Sequence, residues 1–380
     1  MKTTSSLARQ AIAIFQEQLT SQGYTPQVHF ELEGCCVFPQ GQQLTQAHLK
    51  SVNQHLRQLN VEAELVEEFW HNQWELVSKF EGQTPLKEAE NLALALELLP
   101  KLFRQLGAND TLIAPVVWSG DTAQLAAGSK NIFNDGQRAV HIPNAIQINI
   151  SVLDDCGNNL VASEFGEILQ ACLMRTSLSC CLLYMPEHDA YERLLLKSKY
   201  GLADELCSPI DISGGHQGSI ALYKQHGKHN QSMGVKTLVV DQYQQALVSE
   251  QQWQKTARVE HRLGASSHHY NPFVNVAFAL ANLLDAIEVF KAGDERLDDL
   301  RQSVARNNLQ PLPTKMYHEK SGFDAYNLFK QDSWFATRIN KSNELINKNN
   351  CHDVDLGKDL QRSILTTFQP RSELALLPSG

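Results

Sequence analysis

Ala257-Arg258-Val259-Glu260-His261-Arg262-Leu263 is the stretch from which the rest of the chain can be read. Side chains alternate along a strand, so Arg258, Glu260 and Arg262 share one face, while Val259 and His261 take the other. On an open surface such a row would be an ordinary charge ladder. Here it precedes Asn271-Pro272-Phe273 and an apolar helical stretch, Phe273 to Phe290, which points to a covered strand. A covered Arg-x-Glu-x-Arg row must pair internally or hold ligands. Arginine suits phosphate and carboxylate groups, and glutamate suits a hard cation. That combination is what an ATP–magnesium site requires.

Two upstream stretches extend the pattern. Val28 to Phe38 reads as a strand with Glu31 and Glu33 two apart and therefore on one face. Side by side they repel unless a cation intervenes. They could form the wet face of an edge strand, but the apolar run after them favours a covered one. Val61 to Glu68 and Gln73 to Phe80 read as a hairpin carrying Glu67 and Glu75. A helix from Pro85 to Leu106 follows, stopped by Gly107. Other helices are expected over Ser5–Gln22, Leu44–Leu59, Leu160–Tyr184, Leu297–Arg306, Phe323–Arg338 and Leu356–Phe368. Further strands are expected over Thr111–Val117 and Ile146–Leu153, with a loop over Gly120–Gly136.

The totals narrow the class. The chain has 380 residues, 42% hydrophobic and 20% charged, within the ordinary globular range. Its formal net charge is −9 and it has no long basic run, which argues against nucleic acid as a partner. None of the 8 cysteines forms a Cys-x-x-Cys pair, and Cys35-Cys36 and Cys180-Cys181 read as small buried hydrophobes. No continuous apolar run is long enough to span a membrane and no signal sequence is evident, so a cytoplasmic location is expected.

These motifs together resemble the catalytic domain of glutamine synthetase. Arg258-Val259-Glu260-His261-Arg262 with Asn271-Pro272-Phe273 is similar to the family's Arg-Ile-Glu-x-Arg and Ala-Asn-Pro-Tyr. Glu31 and Glu33 match its Glu-x-Glu strand, and Glu67 and Glu75 match its hairpin acids. The turn Asp154-Asp155-Cys156-Gly157-Asn158-Asn159 matches its Asp-Asp-Gly-Lys-Asn-Leu. The resemblance implies an α+β fold: a curved antiparallel β-sheet, or half-barrel, flanked by helices. It implies one domain over residues 1–380, with an N-terminal helix (1–24), a sheet and active-site core (25–310) and a C-terminal helical segment (311–380).

It also implies a site and a chemistry. Glu33, Glu67 and Glu75 would hold one Mg²⁺ or Mn²⁺, and Glu31, Glu260 and Gln147 a second. Arg193 would orient a substrate carboxylate, Arg258 would contact ATP, and Arg262 the substrate or phosphoryl group. The implied reaction is ATP-dependent ligation of a carboxylate, an amino acid, to an amine through an acyl phosphate. Five carboxylates in one cleft would repel by about 4 kcal/mol per pair at 4 Å and an effective dielectric of about 20, so divalent ions would be needed to hold them together. The chain also departs from the pattern. Gln147 and Asn149 stand where two histidines belong, and Gln217 and Leu222 where two arginines handle phosphates. Lys224–Gln231 is a basic insertion. Only about thirty residues precede the Glu-x-Glu strand, where the family has a β-grasp domain that covers a neighbour's site. A homo-oligomer or a partner chain is therefore expected to supply cover. Three readings stay open: a ligase that uses an amine other than ammonia, a degenerate subunit that binds nucleotide or metal and regulates or scaffolds a partner, and a phosphotransferase of the related guanidino-kinase type.

Overall fold

The computed structural model describes residues 3–80, 82–122, 126–127, 137–194, 220–227, 231–307, 311–318, 322–347 and 355–370. Helix α1 (Thr4–Ser21) opens the chain, with the Thr3 hydroxyl accepting from the Ser6 amide as its cap. Strand β1 (Thr25–Val37) is followed by α2 (Gln46–Gln58), the hairpin β2 (Ala63–Glu67) and β3 (Gln73–Ser78), and α3 (Pro85–Gln105). Short strands β4 (Asp110–Leu112), β5 (Val116–Trp118), β6 (Ala126–Ala127), β7 (Gln137–Arg138) and β8 (His141–Pro143) lead to β9 (Ile146–Leu153). Then come α4 (Phe165–Ser177), α5 (Cys181–Tyr184), α6 (His188–Arg193), β10 (Ile220–Tyr223), β11 (Val235–Val240), β12 (Ala246–Gln251) and β13 (Arg258–His261). The chain closes with α7 (Pro272–Ala292), α8 (Asp294–Asn307), α9 (Ala325–Gln331), α10 (Trp334–Ile346) and α11 (Leu356–Thr367).

The main sheet has seven strands in the order β10-β13-β9-β1-β3-β2, with β4 added beside β1. All its pairings are antiparallel. The sheet is open and curved, a half-barrel. One face is apolar, carrying Val28, Phe30 and Leu32 of β1, Ile146, Ile148 and Ile150 of β9, and Val259 of β13, all buried. Against this face lies the helical layer centred on α7, with α1, α3 and α4 packed on it. Gly34 is set by this packing. It stands opposite Trp74 in the ladder, and a Cβ there would lie 2.5 Å from the indole ring.

α7 is long and apolar enough to cross a membrane by composition, although Asn275, Asn282 and Asp285 interrupt its apolar run. Here it is the core helix. Asn275 donates to the Leu183 carbonyl, Asn282 accepts from Thr176, and Asp285 pairs with Arg175 at 2.6 Å.

Several expected elements are split. Thr111–Val117 divides into β4 and β5, with Pro115 between them. Leu160–Tyr184 becomes a short 3₁₀ turn, α4 and α5. Phe323–Arg338 divides at Asp332, whose carboxylate caps the next helix at the Phe335 amide. The hairpin β11–β12 was not anticipated. The stretch at 195–201, Gln217 and most of Gly120–Gly136 lie outside the described residues.

Candidate functional site

The second face of the sheet is polar. Residues directly paired across an antiparallel ladder project to the same side. The registers Glu33↔Glu75, Glu31↔Gln147, His29↔Asn149 and Asn149↔Glu260 therefore gather these side chains on one face. Arg258 and Arg262 belong to it too, as the alternation predicts. Gln147, Asn149, Glu260 and Arg262 are buried, while Glu31, Glu33 and Glu75 are half-buried.

Glu33 is the most constrained acid. Its carboxylate accepts from the Ala145 amide at 2.9 Å and from the Gln147 side chain at 3.3 Å. Burial pushes its carboxyl up to about 7 and Glu68 adds to the push, while the Ala145 amide, Arg193 and Arg262 oppose it. The Gln147 amide oxygen is buried and accepts no hydrogen bond.

Hairpin register moves one acid. Val66 pairs with Glu75 and Glu67 pairs with Trp74, so Glu67 shares the side of the buried tryptophan and is exposed there. Glu68, one residue on, projects to the side of Glu75 and is the carboxylate that acts on Glu33. Two odd-numbered acids in strands paired 66 to 75 must lie on opposite sides. The expected grouping of Glu67 with Glu33 and Glu75 is thus replaced by Glu68.

At the other end of the face, Glu31 accepts from Asn149 at 2.9 Å, and Asn149 accepts from Arg258 Nε at 2.5 Å. Glu260 sits between two guanidinium groups, 3.7 Å from Arg258 and 3.4 Å from Arg262. Arg258 also lies 4.7 Å from the Tyr223 ring centre and 6.0 Å from that of Phe80. Tyr223 stands opposite Arg258 in the ladder. Leu222 pairs with Val259 and so belongs to the apolar face.

Arg193 is placed differently from the expected substrate contact. It is buried, and its guanidinium donates to the carbonyls of Asn144 (2.9 Å), Gly264 (2.7 Å) and Leu263 (2.8 Å). Burial pulls it down to about 10, partly offset by Glu33. It ties together the two loops that meet Glu33. One holds the Ala145 amide, and the other holds Ser266, whose hydroxyl donates to the Glu33 carbonyl at 2.5 Å.

Behind β13, burial pulls His261 down to about 3, so it is neutral. Ser177 spends its hydroxyl proton on the Leu173 carbonyl, so the His261 Nε2–H must donate to Ser177 Oγ.

The face offers carboxylate and amide oxygens, a hard-cation donor set. An unpaired buried amide oxygen beside a carboxyl that resists ionisation fits a divalent cation. The acids line the face rather than form a closed shell. Among the described residues, the one group of three acidic, histidine or cysteine side chains with ligand atoms within 4.8 Å of one another is Asp154, Asp155 and Cys156 at the turn after β9. Sequence reading missed Glu68, Asn149 as a bridge, Tyr223 and Phe80. Only Glu68 left a signal, as the second of two adjacent acids.

No protein-family profile and no curated protein matches this chain. Solved structures do. A novel glutamine synthase homolog shares the fold with a TM-score of 0.57 at 16% identity, over 94% of this chain and 75% of that one. A protein named GmaS, in a complex with ADP, gives 0.53 at 14% identity over 98% and 76%. Glutamine synthetase of Plasmodium falciparum gives 0.51 at 11% identity over 97% and 78%. The chain therefore has the glutamine synthetase-like fold.

Proposed function

We propose that this chain is an ATP-dependent carboxylate–amine ligase of the glutamine synthetase type. A substrate carboxylate, that of glutamate or a related amino acid, attacks the γ-phosphate of ATP and releases ADP. An amine other than ammonia then displaces phosphate from the acyl phosphate. The observation that carries this reading is Glu33: its carboxyl is held near pH 7 beside Glu68, Glu75 and the unpaired Gln147 oxygen. Mg²⁺ or Mn²⁺ would be held by Glu33, Glu68 and Glu75 with Gln147, and when bound it neutralises phosphate oxygens. Arg258, backed by Tyr223 and Phe80, meets the nucleotide. Arg262 faces the phosphoryl group, and Arg193 positions the loops around Glu33.

ADP formation with Mg²⁺–ATP, glutamate and a panel of primary amines tests the reading. Amine-dependent release of ADP that is lost in Glu33→Gln supports it. A second reading has its own support: Glu260 already neutralises Arg258 and Arg262, and Arg193 is spent on backbone carbonyls. Those cations are then unavailable to phosphates, and the chain would be a nucleotide- or metal-binding regulatory or scaffold subunit. Tight Mg²⁺–ATP binding without turnover on any acid and amine would select it.

A further inference from the structure

One buried acid and one buried imidazole, Glu88 and His29, take no part in the proposed chemistry. His29 belongs to the polar face, opposite Asn149 in the ladder, and Glu88 reaches it from the first turn of α3. Their side chains are 2% and 1% exposed. Either group alone would be costly to bury, so the two must serve each other. His29 Nδ1 lies 4.0 Å from Glu88 Oε1, a gap that one water or a small rotation closes. Glu88 is fixed from behind: the Ser78 hydroxyl donates to its Oε2 at 2.6 Å and accepts from the Phe30 amide at 3.0 Å. In front of His29 lies Phe80, with the ring centres 4.0 Å apart at 46°. Phe80 is two residues past the end of β3 and 55% exposed, so side-chain packing rather than the ladder holds its ring. Arg258 comes next, 6.0 Å from the Phe80 ring centre and with its Nε on Asn149.

We propose that His29 is a positioning residue for Arg258, acting through Phe80, with Glu88 as the group that aims its ring. Tyr223 and Phe80 bracket the guanidinium with aromatic rings. Tyr223 is held opposite Arg258 by its own strand, whereas Phe80 depends on the ring beneath it. An imidazole suits that place better than an aliphatic side chain. Its face stacks on Phe80, and its Nδ1 gives Glu88 a polar handle that fixes one orientation. A seated Phe80 adds a cation–π attraction and keeps the guanidinium from turning out to water. Ligand-facing side chains need rotamers locked by the packing around them, and the line Ser78–Glu88–His29–Phe80 supplies that lock from α3 to Arg258. That the ligand of Arg258 is a nucleotide rests on the ligase reading; the seating of Arg258 does not.

Phenylglyoxal modification of Arg258, followed by peptide mass spectrometry on the full chain, reads the seating without any nucleotide. His29→Ala, Glu88→Leu and Phe80→Ala should each raise the modification rate of Arg258 about two- to fivefold, the factor that one aromatic–guanidinium contact carries. His29→Ala/Phe80→Ala should do no more than either change alone, since both break the same line. Glu88→Gln keeps an oxygen toward His29 and should match the unaltered protein. Val28→Ala opens a cavity on the other face of the same strand; it should lower the thermal midpoint and leave Arg258 as protected as before, which separates seating from general loosening. Equal rates in all variants, or a rise in Val28→Ala as large as in His29→Ala, would overturn the inference. Calorimetry with Mg²⁺–ADP on the same proteins tests the ligase reading. Binding that weakens by a similar factor in the three loosened variants supports both. No binding to the unaltered protein, together with the expected Arg258 rates, removes the nucleotide and still supports the seating.

Discussion

Replacing Glu33 by glutamine should stabilise the metal-free protein at alkaline pH and abolish the manganese uptake proposed for this face. The Glu33 carboxyl is raised from 4.5 to about 7. Between those values the folded chain keeps a proton that the unfolded chain has lost, so stability falls as pH rises through the window and is level above it. At 1.36 kcal/mol per pKa unit, the full penalty at pH 8 is roughly 3 kcal/mol, and at pH 5 it has fallen below about 1 kcal/mol. Solvent contact at this half-buried carboxyl screens part of it. The amide that replaces it still accepts from Ala145, but the contact with Gln147 costs about 1 kcal/mol. Glu33→Gln should therefore gain about 1–2 kcal/mol at pH 8 and be neutral or slightly worse at pH 5. Differential scanning calorimetry in chelator should show a midpoint rise of a few degrees at pH 8 only. Manganese should then raise the midpoint of the unaltered protein and leave the variant unmoved. An equal loss at both pH values, or an equal response to manganese, would refute the reasoning.

Titration calorimetry with manganese should separate the two hairpin acids: Glu68→Ala weakens uptake at least about tenfold, while Glu67→Ala, on the other face, changes it less than about twofold. Gly34→Ala drives a Cβ into the Trp74 ring and should destabilise the protein by about 1–3 kcal/mol, read as a lower thermal midpoint. Arg193→Lys cannot bridge all three carbonyls and should cost about 2–3 kcal/mol. If Arg193 instead held substrate, the same variant would keep its midpoint and raise only the KM for the acid.

The sheet and its polar face were legible because alternation is a local property. Arg258, Glu260 and Arg262 fall on one side of any strand that contains them, and Glu31 with Glu33 likewise. The parity between β2 and β3 was not legible. It depends on how the chain turns between Glu68 and Gln73, where the Glu68 amide meets the Gln73 carbonyl and Asn72 adopts a φ of 60°. A one-residue change in that turn exchanges Glu67 for Glu68. The fate of Arg193 was hidden for another reason. Its three carbonyl partners come from loops about fifty and seventy residues away, and no local pattern announces a long-range backbone clamp. The hairpin β11–β12 lacks the buried face that makes strands readable, so its apolar residues carried no inward–outward signal.

Charge balance indicates how many cations the face accepts. Glu31, Glu33, Glu68, Glu75 and Glu260 stand against Arg193, Arg258 and Arg262; five acids less three guanidinium groups leave two negative charges. The deficit is not spread evenly. Glu260 lies between Arg258 and Arg262, and Glu31 takes a donor from Asn149, so the end of the face on β9 and β13 is already satisfied. Gln147 turns its amide N–H toward Glu33 and leaves its oxygen unpaired at the same place. The surplus therefore gathers at Glu33, Glu68 and Glu75, where either a proton on Glu33 or one divalent ion can relieve it. One manganese per chain is the expected stoichiometry at pH 8, with uptake weakening as pH falls below about 7 and a proton competes. Two equal sites per chain would mean that Glu260 releases its arginines when metal arrives, and those arginines would then be free to meet phosphate.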